Sequence, residues 1–258
     1  MRFPFFAQRF LAFAHRGGSD YTPNVGRENT IHAFRSAVSL GYRYCETDVH
    51  VTRDRRLVCF HDETLDRVTN GHGQIHDHAL AELADVTTLA GDHIPTFDEV
   101  METLPDTRFN IDLKAPGAVA PLAEGIRRHH AENRVCVASF SQRRLSEFRH
   151  LTRGRIATGI ATPGVAWTAF VPGLPALIAS PGAVLQAPAH QTIRGVTIPV
   201  VTRLAVWNCH QAGKYIHAWT IDDADEMNRL IDLGVDGIIT DRPDVLKDVL
   251  ITRDLWED

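Results

Sequence analysis

Two acids stand two residues apart in YCETDVHVTRDRRLVCFHDETLDR (44–67), at Glu46 and Asp48, and the pair His61-Asp62 follows a second apolar run. Strand interiors usually exclude such residues, so their presence marks a site. His15 and Arg16 follow the apolar run FLAFA (10–14), and Asp112 and Lys114 close the run RFNIDLK (108–114). Side chains two apart on a strand point the same way, so Glu46 shares a face with Asp48, and Asp112 with Lys114. Three converging carboxylates repel unless something positive lies between them. A hard divalent cation on oxygen ligands, Mg²⁺ or Ca²⁺, answers that need, and without it at least one carboxyl group is expected to have a raised pKa. Arg16 as a planar fork and Lys114 as a point charge suit phosphoryl oxygens. His15 and His61 suit the base and acid roles of ester cleavage. The set as a whole points to metal-assisted cleavage of a phosphate ester.

Such residues need a frame that gathers strand ends. The chain alternates short apolar runs with amphipathic stretches. Nine runs read as strands: 10–14, 42–49, 57–60, 108–113, 135–140, 155–160, 183–187, 215–221 and 236–240. Many are continuously apolar, as parallel strands covered on both faces are. Helices are expected between them. ENTIHAFRSAVSLG ends at Gly41, Thr96 and Glu99 form a capping box, Ser141 caps a helix that turns Leu145 and Phe148 inward, and Asp223 opens a helix that stops at Gly234. This predicts an α/β fold, a TIM-type (β/α)8 barrel, in which the carboxyl ends of the strands share one rim. Nine candidates compete for eight places, and only a short polar link joins the second and third, whereas parallel strands need a longer crossover, so either that link is unusual or one candidate is not a barrel strand. Residues 63–94 are polar and rich in Gly and His, and read as a small insertion after the third strand, over one mouth. Without a low-complexity linker or internal repeat, 1–258 reads as a single domain.

Length and composition agree. The 258 residues are 44% hydrophobic, enough for one large core. Net charge is −5 with no long basic block, which argues against nucleic acid or an anionic membrane as partner. The aromatic start, MRFPFFAQRFLAF, is interrupted by Arg9 and lacks a cleavage site, so Phe3, Phe5 and Phe6 are expected to pack rather than face a membrane. No run is long enough for an integral membrane segment. Cys45, Cys59, Cys136 and Cys209 are scattered without metal-ligand spacing, which predicts reduced thiols and a cytoplasmic protein.

Taken in order, AHRGG (14–18), ENT with AF (28–34), GYRYCETDVHVTRD (41–54), LVCFHDETLDRVTNGHG (57–73), IPTFDEV (94–100), NIDLK (110–114), VASF (137–140), AWTID (218–222) and GVDGIITDRP (234–243) resemble the glycerophosphodiester phosphodiesterase family over nearly the whole chain. The resemblance implies a TIM-type barrel that hydrolyses small-molecule glycerophosphodiesters to sn-glycerol 3-phosphate and an alcohol. It implies His15 and His61 as the acid–base pair, Glu46, Asp48 and Asp112 as metal ligands, Arg16 and Lys114 as phosphate contacts, and Trp219 as a pocket wall. Two departures stand out: Arg27 replaces the usual Pro before Glu-Asn-Thr, with PNVG ahead of it, and Asp112 stands where Glu is common. One alternative is a lysophospholipase D or sphingomyelinase D-like enzyme acting on lipids, whose members are often secreted and disulfide-bonded. Another is a phosphodiester-binding barrel without turnover. Phe140 is a further candidate wall. His72, His76 and His78 read as a solvated loop, His129 and His130 as a helix end, and Asp241 as a cap for the last helix.

Overall fold

The computed structural model describes residues 3–161, 164, 165, 168, 169, 171, 173 and 181–257. Its strands are β1 (Leu11–Ala14), β2 (Tyr44–Val51), β3 (Leu57–Cys59), β4 (Arg108–Leu113), β5 (Val135–Ala138), β6 (Ala157–Thr158), β7 (Val184–Pro188), β8 (His190–Ile193), β9 (Val196–Pro199), β10 (Tyr215–Trp219) and β11 (Gly237–Thr240). Eight of these run parallel in the order β6-β5-β4-β2-β1-β11-β10-β7. The ring closes between its ends through a parallel bridge of Gly159 to Val184 and a 2.9 Å bond from Ile160 N–H to Val184 O. The fold is the expected eight-stranded α/β barrel.

The run 57–60 is the candidate outside the barrel. β3 turns back antiparallel on β2, with Val51 opposite Leu57 and Val49 opposite Cys59. The short link at 52–56 permits only this reversal, since a parallel return needs a crossover of a dozen residues or more. Residues 63–94 then fold over a small core of their own, formed by Val58, Phe60, Leu65, Ile75, Leu83 and Ile94.

Alternation along each strand divides the residues between two environments. Outward side chains such as Cys45, Val49, Phe109, Ile111 and Val137 pack under the helices. Among the described residues these helices are α1 (Ile31–Ser39), α2 (Phe97–Thr103), α3 (Val119–Arg128), α4 (Gln142–Leu151), α5 (Arg203–Gln211), α6 (Ala224–Leu233) and α7 (Pro243–Thr252). Thr30, Thr96, Ser141, Thr202 and Asp223 each accept a backbone N–H at a helix start, which satisfies a donor that the helix cannot.

Inward side chains form two layers. The lower is apolar: Leu11, Phe13, Tyr44, Cys136, Val184 and Ile239, plugged from below by Phe3, Phe5 and Phe6. Phe6 stacks on Tyr215 at 4.0 Å, and the Tyr44 hydroxyl donates to Phe5 O at 2.7 Å. The aromatic N-terminus is thus a barrel plug. The upper layer is polar, with Glu46, Asp48, Asn110, Asp112 and Gln186 lining the cavity above it. All four cysteines are free and buried. Among the described residues no helix is long and apolar enough to cross a membrane.

Candidate active site

Register builds the site. On the β2–β4 ladder Glu46 stands opposite Asn110 and Asp48 opposite Asp112, so two pairs of inward polar residues lie side by side. Lys114 follows one step above β4. Its Nζ lies 3.0 Å from Asp48 Oδ1 and 2.9 Å from Asp112 Oδ2. Although burial opposes its charge, these two carboxylates raise the Lys114 pKa. His15, Arg16, Glu46, Asp48, His61, Asp112, Lys114, Phe140 and Trp219 all border one cavity of about 550 Å³ at the carboxyl ends of the strands.

His15 and Arg16 sit in the tight turn His15–Gly17 after β1, where Arg16 adopts φ 51° and the two following glycines φ 89°. A Cβ on Gly17 would stand 2.6 Å from that of Ala33, and one on Gly18 2.5 Å from Pro243 Cγ. The glycines let this turn press against α1 and the start of α7. The Arg16 guanidinium donates to Glu28 Oε1 at 3.1 Å, and its Nε lies 3.5 Å from Asp48 Oδ2. Its backbone N–H donates to Glu46 Oε2 at 3.2 Å.

Both histidines are held through Nδ1. His15 Nδ1–H donates to Asp241 Oδ1 at 2.8 Å, and His61 Nδ1–H to Asp62 Oδ1 at 2.6 Å. This fixes their tautomers and leaves each Nε2 for chemistry. His15 Nε2 lies 3.7 Å from Glu46 Oε2. Burial alone would lower the His15 pKa, but Glu46 and Asp241 outweigh it and raise the value. Asp62 is only part-buried, and Arg67 and His61 overcome that burial and draw its pKa down to about 2. Behind His61, His50 Nε2–H bonds its carbonyl at 3.1 Å.

The carboxylates differ in charge state. Glu46 is pushed up to about 8, first by burial and then by Asp48. Asp112 is also raised by burial, which Lys114 only partly offsets, and its Oδ1 is buried without a hydrogen-bond partner. Asp48 is lowered, because Lys114 and Arg16 outweigh its burial, and Asn29 donates to its Oδ2 at 3.0 Å. A raised carboxyl pKa is what unneutralised acids in one mouth predict. Among the described residues, the acidic trio whose ligand oxygens all lie within 4.8 Å of one another is Asp20, Asp222 and Asp241, not the expected Glu46, Asp48 and Asp112.

Several partners went unread in the sequence. Asp241 does not cap α7, whose N-cap is Arg242 without a side-chain bond. Arg67, from the 63–94 segment, bonds Glu28 at 2.7 and 2.9 Å and Asp62 at 2.5 and 3.1 Å, joining both histidine loops. Glu28, Asn29, Asp62 and Arg67 all fall inside the quoted motifs, so their signal was present without an assigned role. Arg27, the departure from the family pattern, bonds Asp92 at 2.6 Å and ties the first loop to the same segment. His72 bonds Asp66 at 2.9 Å in an exposed loop, and His129 bonds Asp98 at 2.7 Å.

Comparison with known proteins places this geometry. The model of the glycerophosphoryl diester phosphodiesterase family matches residues 15–245. A Mycobacterium tuberculosis protein named probable glycerophosphodiester phosphodiesterase 2 is 38% identical, over 96% of this chain and 93% of its own. A glycerophosphodiester phosphodiesterase of Caldanaerobacter subterraneus is 34% identical, over 92% of this chain and 96% of its own. Among solved structures, an Oleispira antarctica phosphodiesterase in complex with the product sn-glycerol-3-phosphate superposes with TM-score 0.77 at 25% identity, covering 93% and 96% of the two chains. An Agrobacterium tumefaciens glycerophosphodiester phosphodiesterase shares the fold with TM-score 0.74 at 24% identity, covering 92% and 99%. A matched stretch running from the turn at His15 into the last helix, with relatives aligned over nearly their full length, shows that the chain belongs to the glycerophosphodiester phosphodiesterase family.

Proposed function

We propose that this chain hydrolyses glycerophosphodiesters to sn-glycerol 3-phosphate and an alcohol, with His15 and His61 as the acid–base pair and a divalent cation held by Glu46, Asp48 and Asp112. One observation carries the reading: two histidines, each fixed through Nδ1 by a carboxylate, border the same cavity as three buried acids from adjacent strands.

The residues fit a cation. Asp112 Oδ1 is a buried oxygen without a partner, and a protonated Glu46 beside an ionised Asp48 is a donor set short of positive charge. Lys114 supplies part of that charge between Asp48 and Asp112. Oxygen-only donors favour Mg²⁺ or Ca²⁺. We assign the cation to this set rather than to Asp20, Asp222 and Asp241. Asp241 Oδ1 already accepts from His15 and Ser19, and Asp222 Oδ1 from Thr240 and the Asp241 N–H. When bound, the cation supplies Lewis-acid stabilisation of the phosphoryl charge.

The protein's own groups do the rest. Arg16 stands over the site with its guanidinium braced by Glu28 and Asp48, ready to pair with phosphoryl oxygens. One histidine Nε2 takes a proton from the nucleophile, water or a neighbouring glycerol hydroxyl, and the other gives a proton to the leaving oxygen. Trp219 and Phe140, edge-to-face at 5.9 Å, wall the leaving-group side.

The test is glycerol 3-phosphate release from glycerophosphocholine and glycerophosphoethanolamine, with EDTA and then Mg²⁺ or Ca²⁺ restored. Activity that EDTA abolishes and a cation restores, and that His15→Ala and His61→Ala each lower by at least about 100-fold, agrees with the proposal. Near-parent turnover in either histidine variant removes its assignment.

A further inference from the structure

Arg27 is the residue at which the first loop departs from the family pattern, and the structure uses both of its polar ends. Its backbone N–H donates to Asn24 O at 2.9 Å and closes a turn in the PNVG stretch, a bond that a proline there could not make. Its guanidinium meets Asp92 at 2.6 Å, with the two side chains only 28% and 20% exposed. Among the described residues neither has another ion-pair partner. Backbone contact accompanies the pair: a Cβ placed on Gly26 would lie 3.7 Å from that of Ala90.

Both ends of the pair are anchored to residues of the site. On one side, Asn24 Nδ2–H donates to Gly17 O at 2.9 Å and Asn29 N–H to Arg16 O at 2.9 Å, which fixes the loop on the turn that carries His15 and Arg16. On the other, Asp92 closes a turn on Thr88: its N–H donates to Thr88 Oγ1 at 3.1 Å, and its carbonyl accepts from Thr88 N–H at 2.7 Å. That turn hangs on the stretch just after Arg67, since Leu89 N–H donates to Val68 O and Asn70 N–H to Thr87 O, each at 3.0 Å. Arg67 in turn bonds Glu28, the neighbour of Arg27, and Asp62, which holds His61. Two ion pairs from adjacent residues, Arg27–Asp92 and Glu28–Arg67, therefore join the loop to the 63–94 segment. One such tether leaves a pivot, and two fix an orientation.

We propose that Arg27 and Asp92 are a positioning pair for the hydrolytic site. They seat the 63–94 segment on the first loop so that Arg67 reaches Glu28 and Asp62 at once, which sets His61 against Arg16 and His15. Neither residue borders the cavity, so the pair touches no reacting atom and acts through Arg67. The proposal rests on the phosphodiesterase reading of that cavity and adds two residues from outside it.

Arg27→Asp, Asp92→Arg and the double swap are compared with the parent by glycerophosphocholine turnover with Mg²⁺ present, by thermal melts, and by hydrogen exchange of peptides covering 63–94. Each single reversal is expected to lower kcat about tenfold, with KM within about threefold of the parent's. Each should also speed exchange over 63–94, and the swap should bring both readouts back to within about threefold of the parent. Where a reversal fails to fold, Arg27→Gln and Asp92→Asn read the same loss. Asp92→Asn added to Arg67→Ala should lower kcat no further than Arg67→Ala alone, because both act through one set of contacts. Single variants that keep the parent's kcat overturn the proposal, as do a swap that restores nothing and losses that add to that of Arg67→Ala. A parent without turnover removes the hydrolytic reading. Exchange that still follows the charge pattern then supports the seating, and exchange that ignores it overturns the seating as well.

Discussion

Asp241, at the exit of the last barrel strand, accepts a 2.8 Å hydrogen bond from Nδ1 of His15, at the exit of the first. The pairing of β1 on β11, with Ala14 opposite Thr240, closes the ring there and brings together residues 226 positions apart. Ser19 Oγ–H donates to the same carboxylate oxygen at 2.7 Å, and the Asp241 backbone N–H donates to Asp222 Oδ1 at 2.7 Å, which fixes the backbone that carries it. A charge held against Nδ1–H keeps Nε2 pointing at the cavity and favours the imidazolium, the form that the proposed acid–base role of His15 requires.

Asp241→Asn keeps the shape and removes the charge. We expect kcat to fall by about 100-fold or more while KM and the melting temperature stay near the parent's. In a double variant with His15→Ala the loss should not exceed that of His15→Ala alone, because both act through one imidazole. Steady-state kinetics on the four proteins checks this. Additive losses would separate Asp241 from His15.

Lys114 stands between Asp48 and Asp112, so its removal strands two buried carboxylates. Lys114→Met is expected to destabilise the cation-free protein by about 3 kcal/mol, the scale for breaking a buried pair. Added Mg²⁺ should then raise the variant's melting temperature by more than it raises the parent's, since binding to the folded state alone stabilises it. Thermal melts of both proteins with EDTA and with Mg²⁺ measure the difference. An equal rise in both would mean that Lys114 and the cation do not serve the same carboxylates.

The sequence made the barrel legible because each strand is a buried apolar run, and the site legible because Glu46, Asp48, Asp112 and Lys114 interrupt such runs at spacings of two. Excess strand signal came from 57–60, whose residues are as buried as any barrel strand's, and only the brief link before it betrayed the reversal. The β8–β9 hairpin went unread, although Arg194-Gly195 is a turn signal and both residues take positive φ, 50° and 81°. Asp241 was misread for a different reason. Its neighbours Arg242 and Pro243 speak of a helix start, whereas its partner His15 is set by ring closure, which local sequence does not express.

Arg67 is the only described side chain outside the two histidine loops that bonds both Glu28 and Asp62. It is nearly half exposed, so its ion pairs contribute little stability, under about 1 kcal/mol. Its positional effect is larger, because Asp62 orients His61 and Glu28 braces Arg16. Arg67→Ala is expected to leave the melting temperature within a few degrees of the parent's and to lower kcat about tenfold. Kinetics beside thermal melts distinguishes this from general destabilisation, which would move both.

His217 gives the fold a pH dependence of its own. It lies fully buried on β10, among Phe6, Phe13 and Gln186, where Gln186 Nε2–H donates to its Nδ1 at 3.3 Å and its Nε2 has no partner. Burial pushes its pKa from 6.5 down to about 3. The folded chain therefore keeps this ring neutral at pH values where the unfolded chain protonates it. The contribution to stability is fully present above pH 6.5 and is lost as pH falls toward 3, because the unfolded state binds the extra proton. At pH 5 the gap from 6.5 is 1.5 units, which corresponds to about 2 kcal/mol at 1.36 kcal/mol per unit. His217→Gln removes the titrating group and leaves a polar side chain of similar reach. The variant should be less stable than the parent at pH 7.5, where the packed neutral ring is an advantage, and the difference should shrink by about 2 kcal/mol at pH 5. Urea unfolding midpoints of both proteins at the two pH values measure this. A difference that does not change with pH would place the burial of a neutral His217 in doubt.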